Sequence, residues 1–312
     1  MNLQQLVACA KDKSRFESVQ DYIDFACRYL EFSGTPGALQ AEIVSQNEPH
    51  YKFYQYKEDG LFSITRPMNA RLMIVANDYE LLQRSFLKTF DAVCEVKDDD
   101  KRSRTLLCNA IYTMQQSIGA TLDALPAGQS NTARKINGDL FERLIRLLIC
   151  RLGVSCDSGT VSVPVSLDGE EQFQMSYQHD LIIRQGELVK AIGGVKTSSK
   201  DRIDKIFIDK FLYCKLTDRL TPHIAIFLND VQRKKTRKEN QYGVSSTFLP
   251  GRFKGYTMKL NPLDGVYYCD LRPNMATDKL LKQHIRTIDR FFCNDLWNLV
   301  QSADSEVGET VG

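Results

Sequence analysis

The sequence predicts an α/β fold of the mixed α+β kind, preceded by a mainly helical region, and three observations carry that reading. An apolar helical pattern at 137–152 is followed by three short strand-like runs, an amphipathic helix at 200–216 and a continuous apolar run at 223–229. Before residue 125, apolar residues recur at helical spacing in several stretches. Between the two lies LPAGQSNTARK (125–135), small and polar with a Pro and a Gly, which reads as a linker. The expected division is a mainly helical region over 1–128, an α/β domain over 129–302, and an acidic tail over 303–312 that frays.

Near the start, Ser14 and Glu17 have capping-box spacing, and Val19, Tyr22, Ile23, Ala26, Tyr29 and Leu30 then form one helical face. Residues 51–76 alternate in short aromatic and apolar runs (YKFYQY, LFSITR, RLMIVA) that suit strands. Asn77 or Asp78 is placed to cap a helix carrying Leu81, Leu82, Phe86, Leu87, Phe90 and Val93. VKDDDKRSR breaks that pattern, and Leu106, Leu107, Ala110, Ile111, Met114, Ile118 and Leu122 define the next helix. TVSVPV (160–165) is strand-like. SYQHDLIIR and LVKAIGGVKT, joined by Gln185-Gly186, form a hairpin pattern. Ile203, Ile206, Phe207, Phe211 and Cys214 line one face of the helix at 200–216, and HIAIFLN (223–229) is a buried strand. VYYCDL is strand-like, and a last helix is expected over roughly 277–300.

Composition excludes more than it assigns. The net charge of +2, with 26% charged residues, gives no global nucleic-acid signal, so a basic face must come from local clustering. The nine Cys are scattered without a CxxC pair, which argues against a zinc site or a disulfide framework. No targeting segment opens the chain, and no run approaches the ~20 apolar residues of a membrane span. A soluble, cytoplasmic protein is expected. P-loop, dinucleotide-binding and G-x-S-x-G patterns are absent, so no nucleotide cofactor is expected.

The chemistry concentrates between Asp180 and Arg202. Asp180 opens one strand of the hairpin and Lys196 lies near the end of the other, on the strand face shared by residues 192, 194 and 196. A carboxylate and an amine converging there suit phosphodiester hydrolysis. The acid binds a hard divalent cation, and the lysine orients or helps deprotonate water and stabilises charge on the phosphate. Taken singly, Asp180 also reads as a turn residue, Lys196 as a solvated strand residue and Glu142 as an ordinary helical acid.

Asp180 followed by GGVKTSSKDR resembles the PD-(D/E)xK motif of many type II restriction endonucleases, and the order helix–three strands–helix–strand over 137–229 agrees with that superfamily's αβββαβ core. The resemblance implies a sequence-specific double-stranded DNA endonuclease that uses Mg²⁺. Asp180 would be the metal-binding aspartate and Lys196 the catalytic lysine. The Val195 carbonyl would face the metal, and Glu142, in NGDLFERL, would be the acid on the first core helix. It also implies a homodimer on palindromic DNA. The acid that should stand two residues before the lysine is replaced by Gly194.

Three explanations compete for Gly194: an inactivating change from Glu or Asp, a relocated acid with Glu142 or Glu187 as donor, and an accidental resemblance. Two adjacent Gly inside a strand are locally unfavourable, which favours the first. The expectation is an impaired enzyme. The alternatives are a non-catalytic DNA-binding protein, a repair or recombination nuclease on the same core and, more weakly, a helical adaptor.

From Lys196 to Lys259 there are fifteen Lys and Arg against six Asp and Glu. Lys200, Arg202, Arg233, Lys234, Lys235, Arg237, Lys238, Arg252 and Lys254 are the expected DNA-binding residues. Gln232, Asn240 and Gln241 are candidate adenine readers.

Overall fold

A computed structural model describes residues 1–57, 64–78, 80–200, 202–238 and 241–301. The tail at 303–312 and Asn240 therefore lie outside the described residues.

The chain opens with helices α1 (Leu3–Lys11) and α2 (Val19–Gly34). The capping box forms at Ser18 and Asp21 instead of Ser14 and Glu17, because Asp12 already takes the Ser14 amide in a short 3-10 turn. Strands β1 (Leu39–Val44), β2 (Tyr51–Tyr56) and β3 (Met68–Asn69) make an antiparallel sheet. RLMIVA is no strand. It is a turn whose Leu72 and Met73 amides both reach back to the Asn69 carbonyl. A π-helical turn (Leu81–Phe86) leads into α3 (Leu87–Asp91) without a side-chain cap from Asn77 or Asp78.

Helix α4 (Lys101–Leu122) begins inside the charged run, where the Asp100 carboxylate accepts from the Ser103 amide. Helix α5 (Ser130–Arg151) begins within the expected linker. Residues 130–135 are good enough helix formers to continue it, and Ala133 is buried. The largest apolar core runs from Leu3 to Leu296, so the helical region and the α/β part share one interior.

The second sheet has six strands, in the order Ile285–Thr287, Gly265–Tyr268, His223–Asn229, Leu188–Ser198, Glu170–Gln185 and Ser155–Leu167. Strands β4 (Ser155–Leu167) and β5 (Glu170–Gln185) are far longer than TVSVPV and the hairpin pattern predict. Asp168 and Gly169 both take positive φ between them, which fits the tight turn that joins twisted antiparallel strands. Asp180 therefore sits well inside β5 and does not open it. Gly186, at φ +59°, closes the predicted hairpin to β6 (Leu188–Ser198). Helix α6 (Arg202–Thr217) crosses to β7 (His223–Asn229), which is buried throughout and parallel to β6.

Beyond β7, the basic loop is a hairpin of β8 (Val231–Lys235) and β9 (Tyr242–Ser246). Helix α7 (Pro250–Lys259) precedes β10 (Gly265–Tyr268), which pairs in parallel with β7. The single helix expected over 277–300 is instead broken into α8 (Pro273–Thr277), α9 (Leu281–His284), α10 (Ile288–Arg290) and α11 (Leu296–Gln301), with a π turn between the last two. Strand β11 (Ile285–Thr287) interrupts them because β10 offers a free edge there. The helical spacing of the apolar residues is real, but Leu281 and Ile285 enter one core and Ile288, Phe292 and Leu296 the other. Among the described residues no helix is long and apolar enough to cross a membrane.

His223 gives this fold a pH signature. It is 1% exposed at the start of β7, its Nδ1–H donates to the Thr221 carbonyl at 2.8 Å, and its Nε2 has no partner. Burial pushes its pKa down to about 3. The unfolded chain takes up this proton near pH 6.5 and the folded chain does not, so stability falls as pH drops through that value. Moving from pH 7 to pH 5 should cost about 2 kcal/mol from this group. Urea midpoints at the two pH values, with and without His223→Phe, check it. An unchanged pH dependence in the variant would show that His223 is not the source.

Candidate active site

Pairing of β5 with β6 stops at Leu181↔Gly193. One residue further, the strands part, and side chains that alternate onto the same face project into the gap. These are Asp180 from β5 and residues 194 and 196 from β6. The Asp180 Oδ2 atom accepts from the Val195 amide at 2.8 Å and lies 2.6 Å from the Lys196 ammonium. Within a strand a residue's N–H and C=O point to the same side, so the Val195 carbonyl faces the same gap.

Glu142 reaches the same ammonium from α5, at 2.7 Å. It stands on a helix whose Leu140, Phe141, Leu144 and Ile145 are locked in the core, which fixes its position. Lys196 therefore bridges two carboxylates, and all three side chains are less than a third exposed.

Burial and the neighbouring Asp180 charge raise the Glu142 pKa. Burial alone would lower the Lys196 pKa, but the two carboxylates outweigh it and hold the ammonium above its usual value. At neutral pH the lysine is a cation held in place. It is poised to orient and stabilise negative charge, not to accept a proton.

Gly194 presents its bare face to α6. A Cβ there would lie 2.7 Å from the terminal methyl of Ile206 and 3.9 Å from Asp180 Oδ2. A Cβ on Gly193 would lie 3.1–3.2 Å from Ile224 and Leu181. The paired glycines therefore admit close packing from both sides, which offsets the local penalty that the sequence suggests. Glu187 is exposed in the β5–β6 turn, at the far end of β6 from Lys196. At ~3.3 Å per residue it stands more than 20 Å away and takes no part in the site.

Asp209 was missed by sequence reasoning. It lies on α6 one turn beyond Ile206, with a side chain 21% exposed, and Lys205 approaches it at 3.8 Å. Burial raises its pKa, partly opposed by Lys205, and the nearby Asp180 charge raises it further. The available signal was an acid three residues after Ile206 and four before Tyr213, on the apolar side of an amphipathic helix. His179 is buried, its pKa pushed down to about 4, and it packs beside Tyr177 and Tyr213, so it is a core residue.

The site opens into a cleft of about 980 Å³. Lys196, Glu142, Lys200, Arg202, Gln232 and Arg233 are on its walls. Lys200, Arg202 and Arg233 have no carboxylate partner among the described residues. Arg233 is held by the Ile64 carbonyl and the Tyr242 ring. Lys234, Lys235, Arg237 and Lys238 are exposed on the β8–β9 hairpin outside the cleft lining. Arg252 pairs with Asp204 at 2.8 Å and Lys254 with Asp278 at 2.5 Å, so these two of the three α7 cations hold the helix to its neighbours and neither lines the cleft.

This architecture is the restriction-endonuclease fold. It matches the crystal structure of the type IIP restriction endonuclease Kpn2I with a TM-score of 0.66, covering 97% of this chain and 99% of that one at 16% identity. A more distant resemblance is to the restriction endonuclease PspGI, solved as a complex with substrate DNA. Its TM-score is 0.40 at 11% identity, over 71% of this chain and 90% of that one. No protein-family model and no curated protein sequence matches the chain.

Proposed function

We propose that this chain is a Mg²⁺-dependent, site-specific endonuclease of double-stranded DNA. The observation that carries this reading is the Asp180–Lys196–Glu142 constellation, whose Lys196 and Glu142 line a cleft that also holds Lys200, Arg202 and Arg233, three cations with no counter-charge among the described residues. A polyanion would supply those charges, and a phosphodiester is the linkage such a site can attack.

The residues fit a magnesium ion. Two carboxylates converge on one positive charge, and burial together with the neighbouring Asp180 charge raises the Glu142 pKa. Among the described residues no group of three or more His, Cys, Asp or Glu is close enough to hold a metal. Mg²⁺ keeps several waters and commonly takes only one or two carboxylates, so that set suffices. Asp180, Glu142 and the Val195 carbonyl would hold the ion. Once bound it would acidify water and stabilise charge on the phosphate. Lys196 would hold the phosphate, and Lys200, Arg202 and Arg233 would fix the backbone, with Gln232 near base edges.

Impairment by Gly194 is one reading. The second is that Asp209 supplies the missing carboxylate from α6, and its coupling to Asp180 favours it. Under this reading the unmodified chain cuts DNA. Since the chain presents one such constellation and a duplex has two strands, we propose a homodimer as the working form.

Incubating the protein with a long mixed-sequence duplex at low salt, with Mg²⁺ or EDTA, tests the core proposal. Discrete fragments in Mg²⁺ alone are expected. A protein that binds no duplex and cuts none, even as Gly194→Glu, would remove it.

A further inference from the structure

We propose that Lys135 and Arg134, which line the same cleft as Lys200 and Arg233, form a second phosphate-binding site that grips DNA beside the scissile bond. This inference rests on the endonuclease reading and adds residues that the motif does not reach.

Helix α5 carries both the site's Glu142 and these two cations. Lys135 and Glu142 are seven residues apart, two helical turns, so they share one face about 10 Å apart along the axis. Gly138 lies between them on that face and also lines the cleft, and a Cβ there would meet nothing within 4 Å. The stripe Lys135–Gly138–Glu142 is therefore an open track from the reacting centre to a positive charge, and Arg134 lies beside it on the same wall.

Both cations are exposed, and neither has a carboxylate partner among the described residues. Among the described residues the Arg134 guanidinium donates only to the Asn131 side chain, at 3.4 Å. Other cations of this region are neutralised: Arg66 by Asp123 at 2.8 Å and Lys13 by Asp139 at 2.9 Å. Arg134 and Lys135 thus add to Lys200, Arg202 and Arg233 as cleft-lining cations without a carboxylate partner among the described residues. With ~3.4 Å of rise per nucleotide on a strand, about 10 Å corresponds to a phosphate up to three nucleotides from the one at Glu142.

Fluorescence anisotropy with a 30-bp mixed-sequence duplex, without Mg²⁺ and across a salt series, tests this. Arg134→Gln/Lys135→Gln is compared with Lys88→Gln/Lys101→Gln, which removes equal charge from exposed positions outside the cleft lining. The first double variant should bind on the order of tenfold more weakly, with a salt slope about two units shallower. Arg134→Lys/Lys135→Arg should bind as the parent does. Gln is a good helix former, so equal melting temperatures are expected. Parent-like affinity and slope in Arg134→Gln/Lys135→Gln would overturn the second site and leave the endonuclease reading standing. A parent protein that binds no duplex at any salt would overturn both.

Discussion

Asp180→Asn is expected to abolish DNA cleavage while leaving DNA binding intact or slightly tighter. Asn keeps the size of the side chain, and its carbonyl oxygen can still accept from the Val195 amide, which now donates to Asp180 at 2.8 Å. What it loses is charge. Lys196 would keep only Glu142, and the site would no longer present two carboxylates to a divalent ion. Loss of one preorganised electrostatic group commonly costs about 10²–10³ in rate, and loss of an ion's ligand adds to that. Removing a negative charge from a surface that faces phosphates can only favour association. Single-turnover cleavage and anisotropy on the same duplex would be measured together. A variant that cuts at the parental rate in saturating Mg²⁺ would show that the hydrolytic centre is elsewhere. One that loses binding and cutting together would show that Asp180 supports the cleft and not the chemistry.

The parts of this fold legible in the sequence are those where one face alone is buried or a run is buried throughout. HIAIFLN, the 200–216 helix and the Gln185-Gly186 hairpin have such patterns, and they place Asp180 and Lys196 on facing strands. Strands β4 and β5 belong with the legible parts: Val161, Val163, Val165 and Leu167 alternate before Asp168-Gly169, and Phe173, Met175 and Tyr177 after it, so TVSVPV is only one piece of a long hairpin. Illegible parts are those decided by distant partners. Ile285–Thr287 has the spacing of a helix and pairs as a strand because the β10 edge is there to receive it. The cation list shows the same limit. Charge density singles out Arg252 and Lys254, but only the fold shows that Asp204 and Asp278 already neutralise them. Arg134 and Lys135 are hidden because 125–135 reads as a linker and is in large part the first turns of α5.

Asp209→Asn, made alone and with Gly194→Glu, should separate a relocated acid from a lost one. If Asp209 supplies the third carboxylate, the parent chain cuts in Mg²⁺, and Asp209→Asn loses about 10²–10³ in cleavage rate. Gly194→Glu in that background then restores part of it, because its Cβ would stand 3.9 Å from Asp180 Oδ2, within reach of the Lys196 ammonium. The restoration should be incomplete. The new Cβ meets Ile206 at 2.7 Å, and the isoleucine end must rotate away from a place it now fills. Adding Ile206→Val, which shortens that end, should bring the rate closer to the parent's. If Gly194 has instead disabled the site, the order inverts: the parent is inert, Gly194→Glu alone cuts, and Asp209→Asn changes nothing in that active background. The two readings disagree on the first measurement, the parent chain in Mg²⁺, and on whether Asp209→Asn lowers cleavage. Asp209 lies on the buried side of α6 at a cost that burial imposes on its charge. Lys205 meets it only at 3.8 Å, and a carboxylate kept there with no further cation to meet would be better replaced by an apolar residue, an energetic argument that favours the first outcome.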